Sequence, residues 1–387
     1  MTLSYLDLTQ HQQVSLDALP FDGNHVVSGP PGSGKSVLAA QRAVMLALTG
    51  GPTVLLTRSN LLRQSLAPLV SALGPQQDGV VVATAHTWLS GWYREHTGSA
   101  PSRTDSGWFD WSEFFQQAAV APTVPGFSLV VDEGQDLPPD FYRFCRVLRA
   151  RTTVYADECQ RLTDTQSTLE EIARGLGAGY PHDLTGNHRN TRPIAKLAAH
   201  FHVGAGRPAL PERTGPPPRL HALQGPGARV DLLLGLAEHR PGRSIGVVLN
   251  SSRDQFDLLT RLERRSPRLK PQMYTAQATS GRYKNLDLSR PGIVIVHRAS
   301  AKGLGFDLTV VPDTQTDAGT DPTSAALRMA YYVLATRARS ELHFGYEGSS
   351  EPPLLAPIPR HVLVREYPAP AAHRSPADTT TRPHQEL

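Results

Sequence analysis

Eight residues near the start of the chain have the types and the spacing that hold a phosphate group. They read Gly29-Pro30-Pro31-Gly32-Ser33-Gly34-Lys35-Ser36 and fit the pattern G-x-x-x-x-G-K-[ST]. Gly29, Gly32 and Gly34 let backbone N–H groups point inward around phosphate oxygens, and the following helix adds its positive N-terminal end. Lys35 is placed to reach the β and γ phosphates, and Ser36 to bind Mg²⁺. We predict an ATP site here; a glycine-rich turn without a ligand is the alternative.

A group of carboxylates follows an apolar run later in the chain. The run Ser128-Leu129-Val130-Val131 leads directly into Asp132-Glu133-Gly134-Gln135-Asp136. Carboxylates at the C-terminal end of a buried strand are costly unless a cation or a reaction uses them. We predict that Asp132 holds Mg²⁺ and that Glu133 polarises the attacking water as a general base. The alternative is an acidic loop in solvent at the end of a strand.

The elements that must position these residues follow from the pattern of short apolar runs. Residues 25–28, the glycine-rich turn and a helical stretch at 36–48 form a strand, loop and helix unit. Further runs, separated by segments long enough for a crossover, are typical of buried parallel strands. They lie at 53–56, 80–83, 128–131 and 152–155, and again at 244–249, 292–296, 308–311 and 341–344. The sequence therefore predicts an α/β protein with two parallel-sheet cores.

A chain of 387 residues exceeds a single ordinary core, so we expect two folded units. The boundaries that we predict are 1–177 for the first unit and 178–346 for the second, with a Pro- and Gly-rich connection near 203–227. Residues 347–387 are rich in proline and are expected to be a mostly disordered tail. Within that tail, the apolar run 361–364 has the composition of an added edge strand.

Charge and cysteine content narrow the surroundings and partners of the chain. The formal net charge of +4 permits a nucleic-acid partner without requiring one. Cys145 and Cys159 cannot form a secreted disulfide framework, so a reducing cytoplasm fits best. The N-terminus lacks a signal-peptide pattern, and no stretch of ~18 apolar residues occurs, so we expect neither secretion nor a membrane partner.

The order of the motifs resembles the UvrD/Rep branch of the superfamily 1 helicases over approximately residues 8–346. The run from Asp132 to Asp136 is similar to the Asp-Glu-x-Gln-Asp form of that family's second motif. The resemblance implies two RecA-like P-loop NTPase cores, meeting around one ATP. The first core would supply the phosphate loop and the carboxylates, and the second would supply arginines.

Several further motifs imply contacts with the nucleotide. In the family's pattern, Gln12 of Leu8-Thr9-Gln10-His11-Gln12 would read the adenine edge. Gln160 of Asp157-Glu158-Cys159-Gln160 would sense the γ-phosphate. In Asn187-His188-Arg189-Asn190, His188 replaces the tyrosine that stacks on adenine, and Arg189 would act on the charge of the transferred phosphate.

The last two motifs of the series carry a second arginine and two departures from the family pattern. Ala299 to Asp307 resembles motif V and assigns Gly303 to nucleotide binding, but Ala299 stands for the usual histidine and Gly305 for the usual glutamate. Tyr332 to Arg339 resembles the motif VI helix, with Arg337 as the second arginine finger. A planar, permanently charged guanidinium suits this task because it meets phosphate oxygens bidentately.

The resemblance also implies a nucleic-acid surface. Arg58 and Asn60 fall where the family's motif Ia touches the nucleic-acid backbone, and His86 and Trp88 fall in a Thr-Phe-His-Ser-type motif. Ordinary loop chemistry is the alternative for these residues, and core packing is the alternative for Trp88. Residues 161–167 lack the aromatic side chains that stack on bases in UvrD-like motors, which should weaken the grip on single strands. The short intervals between motifs leave no room for large accessory domains.

Three functions fit these patterns to different degrees. The leading hypothesis is an ATP-driven helicase or translocase on single-stranded DNA, working in repair or phage defence with a partner such as a nuclease. The second is a switch or scaffold ATPase whose nucleotide state gates a protein partner, which the missing aromatic residues favour. The third, a small-molecule kinase, leaves the second core and both arginine motifs unexplained.

Overall fold

The computed structural model describes residues 6, 8–73, 79–157, 166–203 and 210–367. The first unit is built on six strands: β1 (His25–Ser28), β2 (Thr53–Thr57), β3 (Val80–Thr84), β4 (Ser128–Asp132), β5 (Arg151–Ala156) and β6 (His182–Asp183). All pairings are parallel, in the order β3-β2-β4-β5-β1-β6. Its helices are α1 (Gln10–Asp17), α2 (Lys35–Ala47), α3 (Asn60–Ala72), α4 (Ala85–Thr97), α5 (Trp111–Val120), α6 (Pro139–Val147) and α7 (Leu169–Leu176).

Local sequence sets the start of several of these helices. Thr9, Ser59, Thr84 and Thr168 each accept a hydrogen bond from the backbone N–H three residues on, as N-caps do. A cap of this kind contributes about 1 kcal/mol because it satisfies an otherwise unpaired N–H group. Ser59 and Thr84 lie at strand ends on the edge of the sheet that carries the site, so they also fix where the loops of that edge turn.

The strands of the first sheet are buried on both faces, which explains their continuous apolar sequence. Leu55 and Val130 pack toward α2 and α3, whereas Leu56 and Val131 pack toward α4, α5 and α6. Each of these side chains is fully buried and contributes about 1.5–3 kcal/mol. Helices therefore cover both faces of this sheet, as a parallel sheet requires.

The second unit is built on seven strands: β7 (Arg219–Leu223), β8 (Ser244–Leu249), β9 (Gln272–Met273), β10 (Gly292–His297), β11 (Phe306–Val311), β12 (Ala338–Glu347) and β13 (Val364–Glu366). They are parallel in the order β13-β7-β12-β11-β8-β10-β9. Its helices are α8 (Arg192–Ala199), α9 (Gly225–His239), α10 (Ser252–Arg265) and α11 (Ala325–Thr336). The predicted α/β class with two parallel-sheet cores is confirmed.

Three details of the predicted organisation need correction. The first sheet continues past the boundary predicted at 177/178, because β6 pairs with β1. The connection predicted near 203–227 contains β7, which lies between β12 and β13 in the second sheet. The tail predicted from 347 is folded as far as 367, where β13 pairs with β7 and Arg365 donates to carbonyl oxygens of the same segment. The disorder predicted for the end of the chain falls on 368–387, outside the described residues.

The helices of the described part of the chain are too short or too polar to cross a lipid bilayer.

Candidate nucleotide site

The phosphate loop joins β1 to α2 at the C-terminal edge of the first sheet. Gly32 and Gly34 have φ angles of 88° and 95°, which L side chains rarely adopt. A Cβ at Gly32 would lie 2.3 Å from Asn187 Oδ1, and one at Gly34 would lie 2.1 Å from Gln12 Nε2, so either would displace a side chain that supports the loop. Backbone conformation requires glycine at these two positions, and the close packing of Asn187 and Gln12 adds to that preference.

Lys35, the first residue of α2, is folded back onto the phosphate loop. Its Nζ donates to the carbonyl oxygens of Gly29 at 2.6 Å and Pro30 at 3.0 Å. It also forms a salt bridge of 3.3 Å with Asp157 Oδ2, and both side chains are buried. A bound phosphate would exchange these contacts for its own. Asp157, which follows β5, holds the ammonium group over the loop, a role that its place in the Asp-x-x-Gln motif did not predict.

Asp132 ends β4 with a buried carboxylate. Its side chain is 1% exposed. The Ser36 hydroxyl and the Glu133 N–H lie near its oxygens, but within the described residues no donor reaches full hydrogen-bonding geometry. Burial and the neighbouring Glu133 raise the pKa of Asp132 to about 7, although Ser36 and Lys35 oppose the shift. An orphaned buried carboxylate beside a serine hydroxyl fits a divalent cation, since Mg²⁺ prefers few protein oxygens together with phosphates and water. Asp132 and Ser36 are the residues that would hold it.

Glu133 occupies a strained backbone position next to Asp132. Its φ of 56° and ψ of 45° are left-handed, which costs a residue with a side chain about 1–3 kcal/mol. Gln135 Nε2 donates to its carboxylate at 2.5 Å, and Gln135 Oε1 accepts from the Asp157 N–H at 2.9 Å. Burial alone would raise the pKa of Glu133, but Lys302 and other nearby cations outweigh it, so the pKa is lowered. The residue is therefore an oriented, ionised carboxylate.

Arg189, which lies between β6 and α8, contributes a positive charge to the site. Burial and the nearby Arg337 and Arg339 lower the pKa of Arg189 to about 9, while Glu133 and Asp132 act in the opposite direction. Arg189 is thus within electrostatic reach of the carboxylates of Asp132 and Glu133 and of the arginines Arg337 and Arg339. A pKa of about 9 leaves the side chain charged at neutral pH.

A short amide network fixes the backbone that carries Arg189. Asn187 Oδ1 accepts from the N–H groups of Arg189 at 3.2 Å and Asn190 at 3.1 Å. Asn190 Nδ2 in turn donates to the carbonyl oxygens of Ala338 at 2.5 Å and Thr336 at 3.2 Å. Because Asn187 also packs against the Gly32 backbone, this turn connects the phosphate loop to the start of β12.

Arg337, the predicted second finger, is committed to its own unit. The side chain is 1% exposed, Nε donates to Val333 O at 2.9 Å and Nη1 donates to Leu304 O at 3.0 Å. Nη2 donates to the Thr336 hydroxyl at 3.2 Å. Burial lowers the pKa of Arg337, and the charge of Glu133 acts in the opposite direction, so the two groups are within electrostatic reach of each other. Contact with a phosphate requires these bonds to break, and in this conformation Arg337 positions the loop before β11.

The same loop closes onto the first unit. Lys302 Nζ forms a salt bridge with Asp136, and both side chains are largely buried. Gly303 has a φ of 80°, and a Cβ there would lie 2.2 Å from the side chain of Leu62 in α3. Asn60, predicted to touch nucleic acid, donates to Lys284 O at 3.4 Å. Asn60 and Gly303 thus both lie at contacts between the two units.

The residues predicted to contact adenine lie beside the phosphate loop. Gln12 is buried, donates to Ser33 O at 3.0 Å and accepts from the Thr9 N–H at 3.0 Å, so its amide supports the loop. The His188 N–H donates to Gly32 O at 2.8 Å, and its exposed imidazole lies near His11. Gln160 lies outside the described residues.

Arg58 and His86, at the ends of β2 and β3, both contact one tryptophan. The Arg58 guanidinium lies 4.5 Å from the centre of the Trp108 ring, and the His86 ring stacks on Trp108 at 4.3 Å. His86 Nε2 also donates to Gly107 O at 3.2 Å. The structure therefore brings together two residues predicted to bind nucleic acid, under a loop that the sequence did not single out.

Trp88, predicted to bind nucleic acid, is partly buried and packs against the core. Its ring lies 6.2–6.3 Å from those of Phe127, Phe141 and Phe144 and packs on the cluster beneath α4, α5 and α6. The alternative interpretation of this tryptophan, core packing, is the one that its contacts support.

These observations define a P-loop protein with two parallel α/β units around one cleft. No protein-family model matches the chain. A curated relative is the tRNA(Met) cytidine acetyltransferase TmcA of Actinobacillus pleuropneumoniae serotype 5b (strain L20), 26% identical over 196 residues. The match covers 50% of this chain and 26% of that protein, so this chain spans about a quarter of the relative's length.

Two solved structures with similarity to the chain are described as helicases. The C-terminal domain of a possible DNA helicase from Lactobacillus plantarum is 22% identical, with a TM-score of 0.34, and the match covers 46% of this chain and 97% of that one. The Arterivirus nonstructural protein 10 (helicase) in complex with DNA is 13% identical, with a TM-score of 0.42 and coverage of 90% and 64%.

Proposed function

We propose that the protein is a UvrD-like ATP hydrolase that uses ATP and Mg²⁺ to move on single-stranded DNA. The observation that carries the proposal is the buried Asp132 carboxylate beside Ser36, to which no donor among the described residues makes a hydrogen bond of full geometry. It lies beside the phosphate loop, flanked by the oriented Glu133 and faced by Arg189. These three groups meet the charge requirements of phosphoryl transfer to water. We also propose that the protein works in the cytoplasm, in DNA repair or phage defence, and that its partner is a nuclease or another effector protein.

Each residue has a defined task in the proposed reaction. Lys35 holds the β and γ phosphates, and Glu133 accepts the proton of the attacking water. Arg189 places positive charge where negative charge develops on the transferred phosphoryl group. Bound by Asp132 and Ser36, Mg²⁺ would neutralise charge on the phosphate oxygens. The strained backbone of Glu133 keeps its carboxylate aimed into the cleft.

Hydrolysis is proposed to open and close the contact between the two units. The closed contact is made by Lys302 with Asp136 and by Gly303 against α3. Asp136 lies three residues after Glu133, and Lys302 lies two residues before Leu304, whose carbonyl oxygen accepts from Arg337. A movement of the site on loss of the γ-phosphate would therefore act on the Lys302–Asp136 contact from both units. Single-stranded DNA lying across both units would then move forward, because the two units bind it tightly in alternation.

The test is ATP hydrolysis by the full chain alone, with single-stranded DNA and with RNA. RNA is included because the matched curated relative is named for a tRNA substrate. We expect hydrolysis that single-stranded DNA stimulates. A rate that no nucleic acid changes would remove the motor, and absence of hydrolysis would remove the ATPase.

A second candidate, a switch ATPase that gates a protein partner, is favoured by one observation. Arg58 and His86 each contact Trp108, and Trp88 packs against the core, so part of the predicted nucleic-acid surface is engaged in contacts within the chain. This candidate predicts stimulation of hydrolysis by a co-purifying protein instead of by DNA.

A further inference from the structure

A cavity of about 290 Å³ lies between α2 and α3 of the first unit and the N-terminal ends of the second unit's strands. Ser36 and Arg189 line it together with Gly305 and Arg339. Among the described residues, the charged ones that line it are Arg189, Arg290 and Arg339, with no carboxylate. A cavity with this lining is suited to an anion and is continuous with the proposed phosphate site.

Arg339 differs from the other arginines of the cleft in having an exposed, uncommitted side chain. Within the described part of the chain, its guanidinium donates no hydrogen bond and forms no salt bridge, whereas Arg337 uses all three of its nitrogens. Arg290 is also engaged, because it donates to Lys270 O at 2.7 Å. Among the described residues, Arg339 and Arg189 are thus the arginines of the cavity whose guanidinium donors are available to a ligand, and Arg339 is the exposed one of the two.

Gly305 provides the space that Arg339 occupies. Its backbone is outside the left-handed region, so its conformation does not require glycine. A Cβ at Gly305 would instead lie 3.3 Å from Arg339 Nε and 3.5 Å from Arg189 Nε. The glycine, which stands where the UvrD pattern has glutamate, lets two guanidinium groups enter the same space. Two like charges this close are stabilised by an anion between them.

We propose that Arg339 contacts the terminal phosphate of bound ATP together with Arg189, and that Gly305 is the residue that makes room for it. This inference rests on the proposed ATP hydrolysis. Two guanidinium groups on one phosphate supply several parallel N–H donors, and their effect is largest when charge builds up in the transition state.

The experiment compares Arg339→Ala and Gly305→Glu with the wild type in ATP hydrolysis and in binding of ATPγS and ADP. Arg339→Ala is expected to lower kcat by at least about tenfold and to weaken ATPγS binding while leaving ADP binding unchanged. Gly305→Glu should have the same signature, because its carboxylate would pair with the guanidinium groups. The control is Arg253→Ala, which removes an exposed arginine on α10 that does not line the cavity.

Equal kcat in the wild type and Arg339→Ala, with the wild type active, would overturn this inference alone. Equal loss of ATPγS and ADP binding would assign Arg339 to general folding of the cleft and would also overturn it. Thermal melting of each variant identifies misfolding; if Arg339→Ala misfolds, Gly305→Glu tests the same contact through an independent substitution. An inactive wild type would overturn both this inference and the proposed function.

Discussion

At the scale of single residues, the site combines a buried carboxylate that lacks a partner among the described residues with a carboxylate held by strain. Asp132 is the first, and Glu133 adopts a left-handed conformation that glycine would adopt more easily. Both features lower stability, and both become useful only when a cation and a substrate arrive. They are therefore the residues at which substitution should separate binding from turnover.

Glu133→Gln is expected to bind ATP and to lower kcat by at least about a hundredfold, because an amide cannot accept the proton of water. The side chain keeps its size and its place beside Gln135. Isothermal titration with ATPγS and steady-state hydrolysis measure the two effects. Lys35→Ala is the comparison and should lose binding itself. Equal turnover in wild type and Glu133→Gln would contradict the assignment of the base.

The short motifs predicted which residues lie together at the candidate site better than how their side chains are oriented. The phosphate loop and the acidic strand end were located from residue types alone, and the structure places Lys35, Asp132 and Glu133 together. The direction of the Arg337 side chain could not be predicted, because it depends on carbonyl oxygens from another loop. The space at Gly305 is likewise created by side chains distant in sequence.

At the scale of elements, the loop at 102–110 packs against Arg58 and His86, the two residues predicted to contact nucleic acid at the ends of β2 and β3. An antiparallel bridge between Arg103 and Phe109 and a hydrogen bond from the Thr104 N–H to Trp108 O hold the loop in shape. Trp108 is 6% exposed and fills the space between Arg58 and His86. Arg58 remains exposed and His86 half-buried, so the loop takes one face of each side chain and leaves the rest of Arg58 open to solvent.

Trp108→Leu should bind single-stranded DNA about two- to fivefold more tightly than the wild type, because it frees Arg58 from a cation–π contact of about 0.5–1 kcal/mol. Leucine keeps an apolar side chain in the core beneath the loop. Fluorescence anisotropy with a labelled oligonucleotide measures the change, and Arg58→Ala in the same background should reverse it. Unchanged affinity in Trp108→Leu would show that Arg58 and His86 are not DNA contacts.

Strand prediction succeeded where burial on both faces made the sequence continuously apolar, as in β4 and β8. It failed for β7, whose residues Arg219 to Leu223 are partly polar and follow a proline-rich stretch. Only the pairing of β7 with β12 on one side and β13 on the other makes it a strand. The two-residue strands β6 and β9 depend in the same way on their neighbours.

At the scale of the whole molecule, stability depends on a histidine pair that joins β7 and β12. His221 Nε2 and His343 Nδ1 share a hydrogen bond of 3.0 Å, and the rings are stacked. Burial, with His343 and Arg219 adding to it, lowers the pKa of His221 from 6.5 to about 3. As the pH falls below 6.5, His221 becomes protonated in the unfolded chain but stays neutral in the folded chain. The free energy of unfolding therefore decreases as the pH falls toward about 3.

The free energy of unfolding should therefore drop by about 2 kcal/mol between pH ~7 and ~5 through His221 alone. His221→Gln cannot take up this proton in either state and should show a correspondingly smaller drop. Urea denaturation at the two pH values measures the difference between wild type and variant. The same pH dependence in both proteins would mean that His221 is not responsible.

The short strand β13 has a consequence for how the molecule behaves among other copies of itself. It caps the open side of β7 with three residues, two of them charged, at the end of the sheet opposite β9. A short, charged edge strand offers few backbone groups with which a neighbouring chain could pair. An exposed β7 would instead present unpaired N–H and C=O groups that favour edge-to-edge aggregation. A tag or fluorophore attached at residue 367 would leave β13 in place. A chain truncated before 351 would lack β13 and should aggregate more readily.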